Sequence, residues 1–223
     1  MRIVLRLGGS VLASPINTDL ISKYAKVVQT LKQKNELVVV VGGGNLAREF
    51  IDIAKKLCLE EKDQDEIAIS ISRVFAQLFL KKIGSIGDIK IALTFEDVNN
   101  CLNKGKIAVM GGLRPGITTD AVAALVAKHI QANMIIKGTN QDGVYTKDPK
   151  KHNDAIKLDT LSYADLPGIL QENKHKAGIH QIVDSEAIRI LKNGPIRLII
   201  VNGFNPNNVL VAAQGEKIGT EIS

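Results

Sequence analysis

The sequence has no tryptophan, and aromatic residues make up only 4% of its 223 positions. Large rings therefore cannot fill the interior, and the core has to be built from Val, Ile, Leu and Ala. There are two cysteines, Cys58 and Cys101, without CxxC spacing and without a histidine cluster. That argues against a zinc site and a disulfide framework, and for two reduced thiols in a cytoplasmic protein. No run reaches the roughly 18 apolar residues of a membrane span. The opening "MRIVLRLGGSVL" is too short, and too broken by Arg and Gly, for a secretory signal. Excess charge of one sign is small: 29 basic and 23 acidic residues leave +6, scattered along the chain. Such a balance favours small anionic partners, with neither a nucleic-acid track nor a membrane surface expected. Low-complexity linkers and internal repeats are also missing, which points to one domain over residues 1–223 with a change of lobe near residue 130.

What is present is alternation. Short β-branched runs ("RIVLRL", "LVVVV", "KIAVM", "NMIIKG", "IRLIIV") are separated by longer segments with helical spacing, the pattern of an α/β fold whose mainly parallel sheet is covered by helices. Thr18 or Asp19 is placed to cap the first long helix. "DEIAISISRVFAQLFLKK" fits both periods, but its length without Gly or Pro favours a helix. "GDIKIAL" reads as a short strand and "GTNQDGVYTKDPKK" as a loop with a hairpin about Asp142-Gly143. "SYADLPGIL" and "DSEAIRILKNG" read as helices, Asp184 capping the second, and the tail as a small helix and closing strand. His129, His152, His175 and His180 share no cluster, the last two falling in a stretch that reads as a mobile loop.

Three of the strands end in glycine: "LGGS", "VGGGNLAR" and "MGGLRPG". Gly42, Gly44 and Ala47 fit the dinucleotide pattern G-x-G-x-x-A, yet the acids that should follow a second strand, Asp63 and Asp65, open a helix instead. No Walker-type phosphate loop occurs. Any one turn is best read as chain reversal. Three at the same edge of a parallel sheet, each near a helix N-terminus, read together as phosphate cradles. Arg6, Arg48 and Arg114 accompany them, a density of positive charge suited to phosphoryl transfer between two phosphorylated ligands. Lys137, closing "MIIK", is a further candidate, although a lysine at a strand end is more often exposed.

The blocks "LGGSVL", "VVVVGGGNLAR", "MGGLRPGITTDAVAAL" and "GTNQDGVYTKDP", in this order and spacing, resemble the amino acid kinase superfamily. Within it they are most similar to the short archaeal branch that makes UDP from UMP and ATP. The resemblance spans nearly the whole chain and implies a three-layer αβα sandwich, in which about 1–130 carry the acceptor and phosphate loops and about 131–223 bind ATP. It places ATP phosphates at Gly8, Gly9 and Ser10, with Gly44 and Arg48 nearby, and the adenosine at Thr139, Asn140, Tyr145 and Asp148. Gly43 would touch UMP, Asp65 would accept its ribose hydroxyls, and Leu113, Arg114, Pro115, Gly116, Ile117, Thr118 and Thr119 would wrap its phosphate and read the base. Arg6 and Asp120 would stand at the reaction centre. The resemblance also implies Mg2+ carried with ATP, no metal held by the protein alone, and a homohexamer.

The chain departs from its relatives at Arg6, where many carry lysine, at Phe75, where asparagine is frequent, and in "LRPGI". Isopentenyl phosphate kinases have histidines around the second glycine turn and acetylglutamate kinases read "HGGG". Here Val41 precedes the glycines and "NLAR" follows, which favours the UMP branch. A non-catalytic nucleotide-binding storage or regulatory protein on the same fold would be expected to lose charge near Arg6 and Asp120, and this chain keeps both. A Rossmann-type oxidoreductase is the more distant alternative.

Overall fold

A computed structural model of the chain describes residues 1–13, 15–166 and 184–223. The strands are β1 (Arg2–Leu7), β2 (Glu36–Val41), β3 (Ala108–Met110), β4 (Met134–Thr139), β5 (Val144–Tyr145), β6 (Lys157–Leu158), β7 (Thr160–Leu161), β8 (Arg197–Asn202) and β9 (Thr220–Ile222). The α-helices among the described residues are α1 (Gly9–Leu12), α2 (Thr18–Lys32), α3 (Gly44–Lys56), α4 (Glu61–Ile83), α5 (Phe95–Asn103), α6 (Thr119–His129), α7 (Ser185–Leu191) and α8 (Asn207–Ala213).

Seven strands form one sheet in the order β3-β2-β1-β4-β8-β9-β7. The first five run parallel, and β9 is antiparallel to β8. The expected α/β sandwich with a mainly parallel sheet is therefore the observed one. The period of two along each strand divides its side chains between two cores. Ile3, Leu5, Leu7, Met134 and Ile136 pack on one face with α2, α4 and α8. Val4 and Ile135 pack on the other with α5, α6 and α7. Phe75, the departure from the relatives' asparagine, is buried in the first of these cores. Cys58 is exposed and Cys101 buried, and neither forms a disulfide.

The ambiguous segment is helical, as its length suggested. Other readings are corrected. The cap of α2 is Asn17, whose side chain accepts the Leu20 amide at 2.9 Å; Thr18 and Asp19 already lie inside the helix. Residues 87–93 form no strand, only a bridge from Gly87 to Ile107 and one bond from the Ala92 amide to the Val109 carbonyl. The Ile89 amide donates to the Asp88 carboxylate rather than to a neighbouring strand, that carboxylate also accepts the Cys101 thiol, and Ile89 is 87% exposed. The hairpin starts after Asp142-Gly143, with β5 and β6 pairing across residues 146–156. Gly143 is instead wedged under β9, where a Cβ would stand 2.4 Å from Thr220 Oγ1. Of the expected helix "SYADLPGIL", residues 162–165 form a turn and helix begins only at Leu166; residues 167–170 lie outside the described residues, as do His175 and His180.

Candidate functional site

Because β2 and β3 lie to one side of β1, and β4 and β8 to the other, the connections reverse direction between β1 and β4. At such a switch point the strands' carboxyl ends part and leave a crevice. A cavity of about 570 Å³ opens there. Its walls are the turn after β1 (Gly8, Gly9, Ser10), the turn after β2 (Gly42, Gly43, Gly44) and the end of β4 (Gly138, Thr139). The first turns of α3 and α6 and one face of α4 complete it, bringing Arg48, Thr118, Thr119, Asp120, Asp65, Ile69 and Ser72 to the lining. Arg114, Gly116 and Ile117 line it from the loop before α6.

The glycines have a reason beyond ligand access. A Cβ on Gly9 would stand 2.0 Å from the Gly44 nitrogen and 2.4 Å from its Cα. The first two turns thus touch backbone to backbone, and even an alanine methyl would force them apart.

Arg6 and Lys137 are register partners across the β1–β4 pair. Each follows the alternation of its strand and points to the face where α6 packs. Asp120, in the first turn of α6, lies between them: it pairs with Arg6 Nε at 2.5 Å and with the Lys137 ammonium. Arg6 Nη2 also donates to Thr119 Oγ1 at 2.8 Å. The side chains of Arg6, Asp120 and Lys137 are only 13%, 16% and 8% exposed. Burial works to raise the Asp120 carboxyl, but the charges of Arg6 and Lys137 outweigh it and hold the pKa below the usual range. Burial lowers Lys137, with Asp120 pulling against it and Arg6 adding to the fall.

Lys137 is the residue that sequence reasoning undervalued. It lies within β4 rather than closing it, and it is buried. The available signal was parity, since it shares a face with Ile135, but only the register with Arg6 shows what that face meets. Of the other candidates, Leu113, Pro115, Asn140, Tyr145 and Asp148 do not line the cavity. Leu113 packs against the second core. Tyr145 is half-buried in β5, its hydroxyl pKa raised by burial and by Asp142. Asp148 accepts the Lys150 amide at 3.0 Å in the loop beyond it. Asp184 caps α7 as read, accepting the Glu186 amide, and also receives the Thr118 hydroxyl at 2.5 Å.

Glycine-walled turns, two helix N-termini and buried cations at one sheet edge attract phosphate oxygens from several directions. The protein is thus of the phosphate-binding α/β class. Comparison with known proteins narrows this: residues 1–202 match the profile of the Amino acid kinase family, and the chain belongs to that family. It is 39% identical to the uridylate kinase of Archaeoglobus fulgidus over 223 residues, the whole of both chains. The uridylate kinase of Methanocaldococcus jannaschii is 39% identical over 225 residues, 100% of this chain and 99% of the other. The crystal structure of the Archaeoglobus fulgidus uridylate kinase superposes with a TM-score of 0.90 at 38% identity, covering all of both chains. A UMP kinase from Ureaplasma parvum shares the fold at 23% identity, with a TM-score of 0.83 over 100% of this chain and 98% of that one.

Proposed function

We propose that the chain transfers the γ-phosphate of ATP to UMP, giving UDP and ADP for pyrimidine nucleotide synthesis. The observation that carries this is the Arg6–Asp120–Lys137 cluster at the floor of a cavity large enough for two phosphate groups. The full-length likeness to uridylate kinases supports the choice of acceptor, and nothing in the comparisons favours isopentenyl phosphate or a storage role.

Transfer proceeds with charge spread over the equatorial oxygens of the moving phosphoryl group, so fixed cations stabilise it more than they stabilise the ground state. Arg6 and Lys137 supply them, and Asp120 holds both in place. Gly8, Gly9, Ser10, Gly44 and Arg48 cradle the ATP phosphates, and Thr139, Asn140, Tyr145 and Asp148 hold the adenosine. Gly43 and residues 113–119 take UMP. In this reading about 1–130 carry the acceptor site and the phosphate loops and about 131–223 form the ATP-binding lobe, on one continuous sheet.

Among the described residues no three His, Cys, Asp or Glu side chains gather as a metal donor set. Asp120 already spends its charge on two cations, so the cavity does not fit a metal held by the protein alone. We place Mg2+ on the ATP phosphates, arriving with that substrate. No helix among the described residues is long and apolar enough to cross a membrane, and cysteine usage supports a cytoplasmic setting.

Self-association is part of the same proposal. Phe50 and Ile53 on α3, Leu57 just after it, and Val74 and Leu78 on the adjacent α4 are exposed. Lys55 and Lys56 end α3 while Glu61 and Asp63 open α4, so one face carries both charge signs and can pair with a second copy. Light scattering should report a multiple of the 24.1 kDa chain, a hexamer by the resemblance; a monomer would remove this part.

The acceptor is tested by ADP release with ATP and a panel of UMP, CMP, dUMP and isopentenyl phosphate. UMP should be preferred, and dUMP should lose the ribose contact. Asp65→Ala should raise KM for UMP far more than KM for ATP, since each hydroxyl bond to a carboxylate contributes about 1.5–3 kcal/mol. Equal effects on the two substrates would remove Asp65 from the acceptor site.

A further inference from the structure

Arg73 does not line the cavity, yet it bonds to the loop that does. Its Nε donates to the Gly112 carbonyl at 3.0 Å and its Nη2 to the Leu113 carbonyl at 2.9 Å. Beside it, Ser72 Oγ accepts the Gly112 amide at 2.7 Å, and two turns earlier Asp65 accepts the Gly116 amide at 2.7 Å. One face of α4 therefore grips the loop at both ends. The contact has no slack, because a Cβ on Gly111 would stand 2.7 Å from the Arg73 nitrogen.

A peptide unit is planar and trans, so its C=O and N–H point in opposite directions. Drawing two successive carbonyls toward Arg73 turns the amides of Leu113 and Arg114 the other way. Arg114 and Gly116 line the cavity and Arg73 does not, so Arg73 holds the loop from the side away from the cavity. The planar guanidinium presents its N–H donors in a fixed fork that suits two successive carbonyls, whereas an ammonium gathers its three donors on one atom at the end of a flexible stem.

We propose that Arg73 is a positioning residue for the acceptor phosphate, holding the loop that presents Arg114 and Gly116 to the cavity from behind. The assignment rests on the UMP kinase reading, and the loop geometry can be tested apart from it. Arg73→Met should raise KM for UMP by about 10- to 100-fold, the scale of losing one or two charge-assisted orienting bonds. KM for ATP should stay within about twofold, a split that general loosening of the fold would not produce. Arg73→Lys should restore only part of the UMP affinity. Equal shifts in both KM values, or an unchanged KM for UMP in a variant that melts normally, would overturn the proposal. Hydrogen exchange of the ligand-free proteins is the second readout, with faster exchange in Arg73→Met expected in peptides covering 111–118 and not in α4. If the wild type fails to phosphorylate UMP, the functional reading falls, and exchange alone decides the role of Arg73: unchanged protection of 111–118 overturns it.

Discussion

Lys137→Met should lower the turnover number by about 10²- to 10³-fold, the cost of removing one preorganised donor from a transition state. Methionine is unbranched and of similar length, so it can follow the channel that the lysine stem occupies between β4 and α6. Asp120 keeps Arg6 as its partner, and no buried charge is abandoned. Nucleotide affinities should therefore change much less than turnover, because the ammonium meets its full complement of charge only during transfer. Arg6→Ala should fall on the same scale. Arg6→Lys keeps the charge, but a lysine cannot reach Asp120 and Thr119 together as the guanidinium does. It should hold turnover within about tenfold of the wild type, the effect of one lost hydrogen bond. Steady-state kinetics at saturating Mg2+, with thermal melts of each variant, check these outcomes. Full turnover in a folded Lys137→Met protein would make the lysine a structural partner of Asp120 and nothing more.

The second large effect is on stability. Asp120→Ala should destabilise the protein by about 3–5 kcal/mol, because it leaves two buried cations facing one another without their shared counter-charge. For a chain of this size that is a fall in Tm of roughly 6–20 °C. Adding Lys137→Met to Asp120→Ala should recover part of the loss, since one of the two facing cations is then removed. The pH dependence has a definite sign. The Asp120 pKa is lower in the folded protein than its unfolded value of about 3.9. Its contribution is thus complete above that value and disappears as pH falls through the depressed folded pKa. The difference between wild type and Asp120→Ala should close in acid, as pH falls through that folded pKa. Lys137 works the other way: its folded pKa is also lowered, so its charged form costs stability at neutral pH, and that cost is relieved as pH rises past the folded pKa. Denaturant titrations across pH separate the two. A gap between wild type and variant that stays open through the acid range would contradict the assignment.

Where sequence and structure part company is instructive at single residues. The three glycine turns and their nearby arginines were legible because each is a local pattern: a buried strand, a reversal, a helix start. Their convergence on one cavity followed from a rule about parallel sheets rather than from any one motif. The α4 assignment was legible from length, since a strand of that many residues would find no partner in a domain of this size. Asp88 was not legible, because a carboxylate that folds back on its own loop looks like any polar residue in a short β-branched run. Asn17 was missed by one position for a similar reason, as neighbouring Thr18 and Asp19 offer the same capping chemistry.

Resemblance to a known family implied the roles of Asp65 and Asp120, while the sequence by itself determined the layer architecture, the glycine turns at one sheet edge and the arginines beside them. These depend on periodicity and on neighbours within a few residues, which the chain order states directly. Only the tertiary structure decided that Lys137 stands beside Arg6 and that Arg73 bonds the Gly112 and Leu113 carbonyls. It also decided that Gly9 is glycine because Gly44 leaves no room for a methyl. The physical reason is common to all three. Each depends on which strands lie side by side, in which register, and how closely a helix backbone approaches a turn. Those distances are set by packing of the whole sheet and its two cores, and no stretch of neighbouring residues encodes them.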